Sequence, residues 1–507
     1  MVRGGARRCL VAGLATGLAL ALACPRAALA EPLRAALARA YAGNPALNAE
    51  RARQRADDET VPQALSGLRP RIGATISPGV EVTRETLGNR ERRQIVAEAL
   101  AAAGDDPAAR RAALLAARRD TRPTTSTDFT APIGIEASQT LYDGGRTAAA
   151  VGGAESGVLS GRQVLRGVEQ DVLLAAATAY ADVIQAQANV VLRRNALTAL
   201  DEVVRQARRR YDLGATGPAD LAQAESRRAR GQADLSTAEA NLATARATYR
   251  AAIGAEPSGL PATFASDQVS LGRAVDRLLP ARVEAAVAAG LREHPSIRAA
   301  YHAIDVALFA EKVAAAALQP TLTAQGSFNP SFLGTGSRDA GGGDTGSAAA
   351  SLSLNVPIYD GGAAAAAVRQ AKEQRAQARH DLETARDQVR ADANSAWGVY
   401  EAAAASIRAA EVAVRSNEIA LEGVTREQLE GQRTTLEVLN AQQELLNART
   451  LLVQSQRDRL VGSYALLAAV GRLQAAPLGL TRNEYRPDLH YKQVRDLWGG
   501  TRTPDGR

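Results

Sequence analysis

The chain has 507 residues, 46% hydrophobic, 4% aromatic and 23% charged, with a formal net charge of +7. Four arginines and no acids fall within residues 1–30, so removing that segment lowers the charge to +3, and no basic block interleaved with aromatics points to nucleic acid. Both cysteines, Cys9 and Cys24, lie in the same segment, which excludes disulfides, thiolate metal sites and a cysteine nucleophile from the remainder.

Residues 1–30 read as a secretory signal. Arg3, Arg7 and Arg8 form a basic start, residues 9–23 an apolar stretch, and Ala28-Leu29-Ala30 a small-x-small site that would leave Glu31 first. Two alternatives are an uncleaved anchor and a lipoprotein processed at Cys24, although Ala21-Leu22-Ala23-Cys24 lacks the usual Leu. No later apolar run reaches the roughly 18 residues of a membrane-spanning helix. Entry into a membrane would therefore require a closed barrel, the other structure that leaves no backbone group unpaired in lipid.

The next expected element is a helix over about 32–67. Period-two alternation then marks a strand over 71–83, with Ile72, Ala74, Ile76, Val80 and Val82 on one face. A charged, Ala-rich insertion follows at 85–125, read as an exposed loop with room for a short helix. A second strand covers 129–141 and leads into Tyr142-Asp143-Gly144-Gly145, a strand-to-helix turn. From Arg146 to Leu213 runs a proline-free stretch of about 100 Å if helical. Apolar residues recur every seven there (Val151, Val158, Leu165, Val172; then Val183, Val190, Leu197, Val204, Tyr211), as in a supercoiled seam.

The plan then repeats. A helix is expected at 281–318, strands at 320–328 and 348–358 flanking a Gly-rich loop at 333–346, and the turn Tyr359-Asp360-Gly361-Gly362. A second long helical stretch follows, with seams at Tyr400, Ile407, Val414, Leu421 and at Leu439, Leu446, Val453, Leu460, Leu467. Asn44-Pro45 matches His294-Pro295, and Pro70 matches Pro320, both at an offset of 250. The two turns, Gly214 with Gly431, and Gly254 with Gly471 all match at 217. The organisation read from this is a signal at 1–30, a first repeat at 31–270, a second at 271–473 and a tail at 474–507.

Each long stretch folds back once. Gly214 and Gly431 suit positions just past a helix C-terminus. Pro218 suits the first turn of the next helix, with Thr216 or Gly217 as its cap, and Thr434 or Thr435 with Glu437 resembles a capping signal. The result is two antiparallel hairpins whose tips lie far from the strands.

On the twin Tyr-Asp-Gly-Gly turns, the twin tips (above all EGQRTTLEVLNAQQ) and a tail running from Arg486-Pro487-Asp488 to Trp498-Gly499, the chain resembles the TolC family of outer-membrane efflux and type I secretion proteins. The resemblance covers about 31–473, and the tail is similar to that of the type I secretion branch. It implies an α+β fold: a β-barrel built from four strands per subunit of a homotrimer, continuous with a coiled-coil periplasmic tunnel. It also implies an outer-membrane location in contact with lipid, a periplasmic adaptor (membrane fusion) protein, and an inner-membrane ABC or proton-driven transporter. The function implied is a passive conduit for secreted proteins or small toxic compounds. By position the resemblance places Asp220 and Glu437, six after each tip Gly, in acidic rings that would favour cations, with Arg433 in a closing network. Tyr211 fits the Tyr found three before the tip Gly; Gln428 departs from it, and Asn440 departs from a second acid, which puts the strength of the closing network in doubt. The plainer reading of Asp220 and Glu437 is that acids near helix N-termini complement the macrodipole.

Of His294, His302, His380 and His490, none has a metal-ligand spacing, and His294 reads as a loop residue before Pro295. The Gly-rich loop lacks the Lys-Ser/Thr of a phosphate loop. No cofactor, metal site or catalytic constellation is expected. Besides an export duct, the sequence leaves in view a structural envelope coiled coil and a hydrolase within 85–125.

Overall fold

A computed structural model describes residues 32–130, 133–261, 263–264, 273–331, 333–334, 345–481, 484–504 and 506. The expected signal segment and most of the Gly-rich loop lie outside them.

The opening stretch is three helices where one was expected: α1 (Leu33–Gly43), α2 (Pro45–Asp58) and α3 (Thr60–Leu65), followed by a 3-10 turn. The repeat-related stretch later in the chain is likewise split. The breaks at Asn44 and His294 come from the residue before proline, which is driven out of the helical region. Asn44 sits at φ −64°, ψ 125° and His294 at φ −63°, ψ 130°. Each then caps the helix that follows: Asn44 Oδ1 accepts from the Ala46 N–H at 2.9 Å, and His294 Nδ1 accepts from the Ser296 N–H at 3.2 Å. His294 is thus a junction between helices; burial pushes its pKa down, which keeps the ring nitrogen an acceptor.

The first expected strand is divided, and the second is described on either side of residues 131–132. Strands β1 (Arg71–Ile76) and β2 (Gly79–Glu85) part at Ser77-Pro78, where Pro78 has no N–H for the ladder. Their partners are β3 (Thr124–Thr130) and β4 (Ile133–Tyr142). Between β2 and β3 the insertion folds as two full helices, α4 (Asn89–Ala102) and α5 (Pro107–Asp120), which corrects the expected loop. Asp106 caps α5 by accepting from the Ala108 N–H at 3.0 Å.

Helix α6 (Arg146–Asp212) has 67 residues and folds back into α7 (Pro218–Ile253). The short α8 (Arg273–Leu278) precedes α9 (Val283–Glu293) and α10 (Pro295–Ala316), which replace the single helix expected at 281–318. Strands β5 (Thr321–Ser331), β6 (Leu333–Gly334) and β7 (Thr345–Asn355) follow. Then come α11 (Ala363–Leu429, 67 residues), α12 (Thr435–Ala469) and α13 (Pro487–Val494).

The strands form two antiparallel sheets, β1-β4-β5-β7 and β2-β3-β6. Compactness cuts across the duplication and divides the chain into two units. One comprises residues up to 51, 165–297 and 386–485; the other 52–164, 298–385 and 486–507. The core of the first joins Leu37 and Tyr41 of α1, Tyr180 and Ile184 of α6, Tyr249 of α7 and Tyr464 of α12. Burial raises the Tyr464 and Tyr180 hydroxyls well above the ordinary phenol range. Leu473 and Leu478, just after α12, are buried in this same core, so the start of the expected tail is part of it. The second unit contains both sheets, the insertion and α13.

Candidate functional site: hairpin tips, capped turns and an apolar sheet face

Both hairpin tips are built by the same backbone device. Gly214 (φ +70°) and Gly431 (φ +78°) adopt the left-handed conformation that ends a helix. At the first, the Gly214 N–H donates to Tyr211 O and the Ala215 N–H to Arg210 O, both at 2.8 Å. At the second, the Gly431 N–H donates to Gln428 O at 3.1 Å and the Gln432 N–H to Glu427 O at 2.8 Å.

The entries to the following helices differ. Gly217 caps α7 without a side chain, and Asp220 stands exposed in its first turn. Thr434 closes a full capping box on α12: its hydroxyl accepts from the Glu437 N–H at 3.3 Å, and Glu437 Oε2 accepts from the Thr434 N–H at 2.8 Å. Arg433 then bridges two carboxylates, with Nη1 2.8 Å from Glu437 Oε1 and Nε 2.8 Å from Glu427 Oε2. The Thr434 backbone N–H, followed by Arg433, holds the Glu437 carboxyl below its usual range.

Of the residues singled out by position, Arg433 and Glu437 are therefore in contact. Tyr211 is exposed, and Gln428 is buried. Asn440 Oδ1 accepts from Arg227 Nη2 at 3.2 Å, which ties α12 to α7. Glu427 and Arg227 escaped sequence reasoning. Glu427 lies on the far side of the tip turn from Arg433, and Arg227 is 213 residues from Asn440.

In the second unit the two Tyr-Asp-Gly-Gly motifs are strand-to-helix turns. Asp143 Oδ1 accepts from the Gly145 N–H (3.1 Å) and Oδ2 from the Thr147 N–H (2.7 Å). Asp360 repeats this with Gly362 (2.9 Å) and Ala364 (2.6 Å). Burial works to raise Asp143, but the hydrogen bonds outweigh it and keep the carboxyl below the usual range; Asp360 is lowered first by the Ala364 N–H. A carboxylate is thus held at the start of each 67-residue helix, where the macrodipole favours it. The turn glycines Gly144, Gly145, Gly361 and Gly362 all have φ between +67° and +89°. Tyr142 and Tyr359 are exposed beside them.

The four-stranded sheet presents one largely apolar face, interrupted by Gln139 opposite Ala324. Register aligns Ala74 with Ile135, Ile135 with Phe328 and Phe328 with Ala348, so one apolar row crosses all four strands. Leu322 faces Leu354 and Ala324 faces Leu352. Most of this face is uncovered: Ile72 is 77% exposed and Leu352 69%, while Leu322 and Ala324 are half-buried. The alternate rows are polar, as where Ser138, Gln325 and Ser351 align. Among the described residues no helix is long and apolar enough to cross a membrane.

The remainder of the expected tail, from Arg486, docks within this second unit. His490 Nδ1 lies 2.9 Å from Oδ2 of the fully buried Asp58, whose other oxygen accepts from Gln54 Nε2 at 3.1 Å. Arg495 Nη2 pairs with Glu155 at 3.1 Å, and the Arg69 guanidinium stacks 4.7 Å from the Trp498 ring centroid.

Comparison with known proteins agrees with this geometry. A family model described as outer membrane efflux protein matches residues 36–255 and 288–472. The chain is 38% identical over 484 residues to the outer membrane efflux protein BepC of Brucella suis, covering 95% of this chain and 94% of that one. It is 27% identical over 360 residues to outer membrane protein TolC of Vibrio cholerae, covering 70% and 80%. It is 28% identical over 320 residues to the alkaline protease secretion protein AprF of Pseudomonas aeruginosa, covering 62% and 64%. Among solved structures, CusC superposes with a TM-score of 0.69 at 17% identity, covering 87% of this chain and 92% of that one. VceC of Vibrio cholerae superposes at 0.65 and 19% identity, covering 87% and 96%. The capped turns, the twin tips and the bare apolar sheet face are thus parts of a channel fold, and the chain belongs to the outer membrane efflux protein family.

Proposed function

We propose that three copies of this chain form one outer-membrane export conduit, each giving four strands to a shared barrel and its two helical hairpins to a periplasmic tunnel. The observation that carries this reading is the apolar row crossing β1, β4, β5 and β7, which is exposed in the single chain. A sheet with one bare apolar face and one polar face suits lipid outside and water inside. Closing it with copies of itself removes the unpaired edges of β1 and β7. The two segments 31–270 and 271–473 are read as a duplication that supplies two strands and one hairpin each.

The hairpin tips form the gate in this reading. Asp220 and Glu437 contribute acidic rings, and Arg433 links Glu437 to Glu427. Tyr211, Gln428 and Asn440 line the same constriction. The tips dock on a periplasmic adaptor, and an inner-membrane ABC or proton-driven transporter supplies the energy. The chain itself carries out no chemical step. Similarity to a protease secretion protein supports protein cargo, and similarity to efflux proteins supports small toxic compounds.

The test compares a strain lacking this chain with its parent and with a complemented strain, scoring both secreted proteins and retention of a fluorescent efflux dye. Loss of one or a few large secreted proteins supports type I secretion, and dye retention alone supports efflux. No change in either assay contradicts the reading.

A further inference from the structure

The helical hairpin α4–α5 joins β2 and β3 at their Glu85–Thr124 end, away from the turns into the long helices. Its charges are segregated along its length. The antiparallel fold places the first turn of α4 opposite the last turn of α5. Residues 84–93 and 118–122 at this base hold seven arginines and three acids, while 98–111 at the far end hold two arginines and three acids.

Three arginines, Arg90, Arg92 and Arg93, open α4, with Glu91 the sole acid in that turn. A helix N-terminus is itself positive, so this clustering is unfavourable unless an anion offsets it. The cap, Gly88, offers no side-chain acceptor to the free N–H groups. Arg90, Arg93, Arg118, Arg119 and Arg122 are exposed, and among the described residues none is ion-paired. Arg92 Nε is shielded from solvent with no hydrogen-bond partner. Guanidinium groups beside open helix N–H groups are chemistry for phosphate.

Depth selects the source of that phosphate. Drawn as one extended run across the break at Ser77-Pro78, the chain from Arg71 to Glu85 spans at most roughly 46 Å, or about 35 Å along the axis of a barrel tilted by about 40°. That exceeds an apolar band of about 25 Å, so the base of the hairpin stands just beyond the band, at headgroup height.

We propose that the arginine-rich base of the α4–α5 hairpin binds the phosphate groups of outer-leaflet lipid and so anchors the barrel rim to the surface in which it sits. This rests on the strands crossing the outer membrane. Its test reads binding by purified protein in neutral detergent and not export, so its failure leaves the conduit reading standing.

The full chain is titrated with bis-phosphorylated lipid A and with its dephosphorylated counterpart, and bound lipid is counted by native mass spectrometry. An arginine at an anionic surface contributes a factor of about five. Replacing five of them in R90Q/R93Q/R118Q/R119Q/R122Q is expected to weaken lipid A binding at least about tenfold, with the helical circular dichroism unchanged. The milder R118Q/R119Q is expected to weaken it several-fold, should the fivefold variant fail to fold. R110Q/R111Q at the far end is expected to leave it unchanged. Equal binding by the base variants and the parent overturns the proposal, as does equal binding of dephosphorylated lipid. An equal loss in R110Q/R111Q also overturns it, because attraction would then be non-specific. Displacement by millimolar inorganic phosphate overturns it in favour of a soluble-anion site.

Discussion

Gly254 and Gly471 are repeat-related and share the same left-handed backbone, each with φ +82°. Their surroundings differ. A Cβ on Gly254 meets nothing within 4 Å, whereas one on Gly471 would stand 2.7 Å from His294 Cα and 2.9 Å from His294 N. Both substitutions to alanine incur the left-handed penalty of about 1–2 kcal/mol. Only Gly471→Ala adds overpacking against backbone, about 1–3 kcal/mol more. That contact also positions Arg472, whose Nε and Nη2 each lie 2.8 Å from Glu293. We expect G471A to destabilise the first unit by about 2–5 kcal/mol and G254A by about 1–2 kcal/mol. Pulse proteolysis across a urea series reads both as midpoint shifts. Equal shifts would refute the argument, because they would mean that the close approach of Gly471 to His294 contributes nothing.

Thr434→Ala removes the hydroxyl half of the capping box and should cost about 1 kcal/mol, seen as faster hydrogen exchange at residues 435–438. Glu437 has a depressed carboxyl pKa, so the stability it lends the tip is present above the unfolded value near 4.5 and is lost as pH falls through the lower folded value. The same exchange measurement at pH 7 and pH 3 checks this. Glu169 is the opposite case: burial raises its pKa while its Oε1 accepts from the Ala475 N–H at 2.7 Å. Its contribution is full below about pH 4.5 and falls as pH rises through the folded value. Glu169→Gln keeps an acceptor, so its urea midpoint should gain on the parent between pH 5 and pH 8; a constant gap counts against burial as the cause. His490→Leu leaves the buried Asp58 with Gln54 alone, a loss of about 1.5–3 kcal/mol. It should open the tail to trypsin at Arg495 and Arg502, and adding Asp58→Asn should restore part of the protection.

Much of this was legible because the signals are local. The Tyr-Asp-Gly-Gly turns carry their own caps and glycines, so both strand-to-helix transitions and the start of α6 at Arg146 followed from four residues. The tip glycines marked the folds between long helices for the same reason. The period-two alternation of β5 and β7 marks one apolar face on each strand, and the register in the sheet aligns those residues. The proline signals at Asn44-Pro45, His294-Pro295 and Ser77-Pro78 were present but went unused as breaks, so helices and a strand were drawn too long. The insertion was read as a loop although its Ala-rich runs and Asp106-Pro107 start favour helix. What was not legible depends on distant partners. Asp58 and His490 are 432 residues apart, and Arg227 and Asn440 are 213 apart. The Tyr180–Tyr249–Tyr464 core likewise joins three helices whose heptad pattern names none of those tyrosines.

A conduit subunit opens a path for ions through a membrane, and single-channel recording of the purified chain lacking residues 1–30 in a planar lipid bilayer reads that path. Stepwise ion conductance with a preference for cations is the expected result, given acidic Asp220 and Glu437 at the proposed constriction. A bilayer that stays sealed, with the protein folded and inserted, would contradict the account.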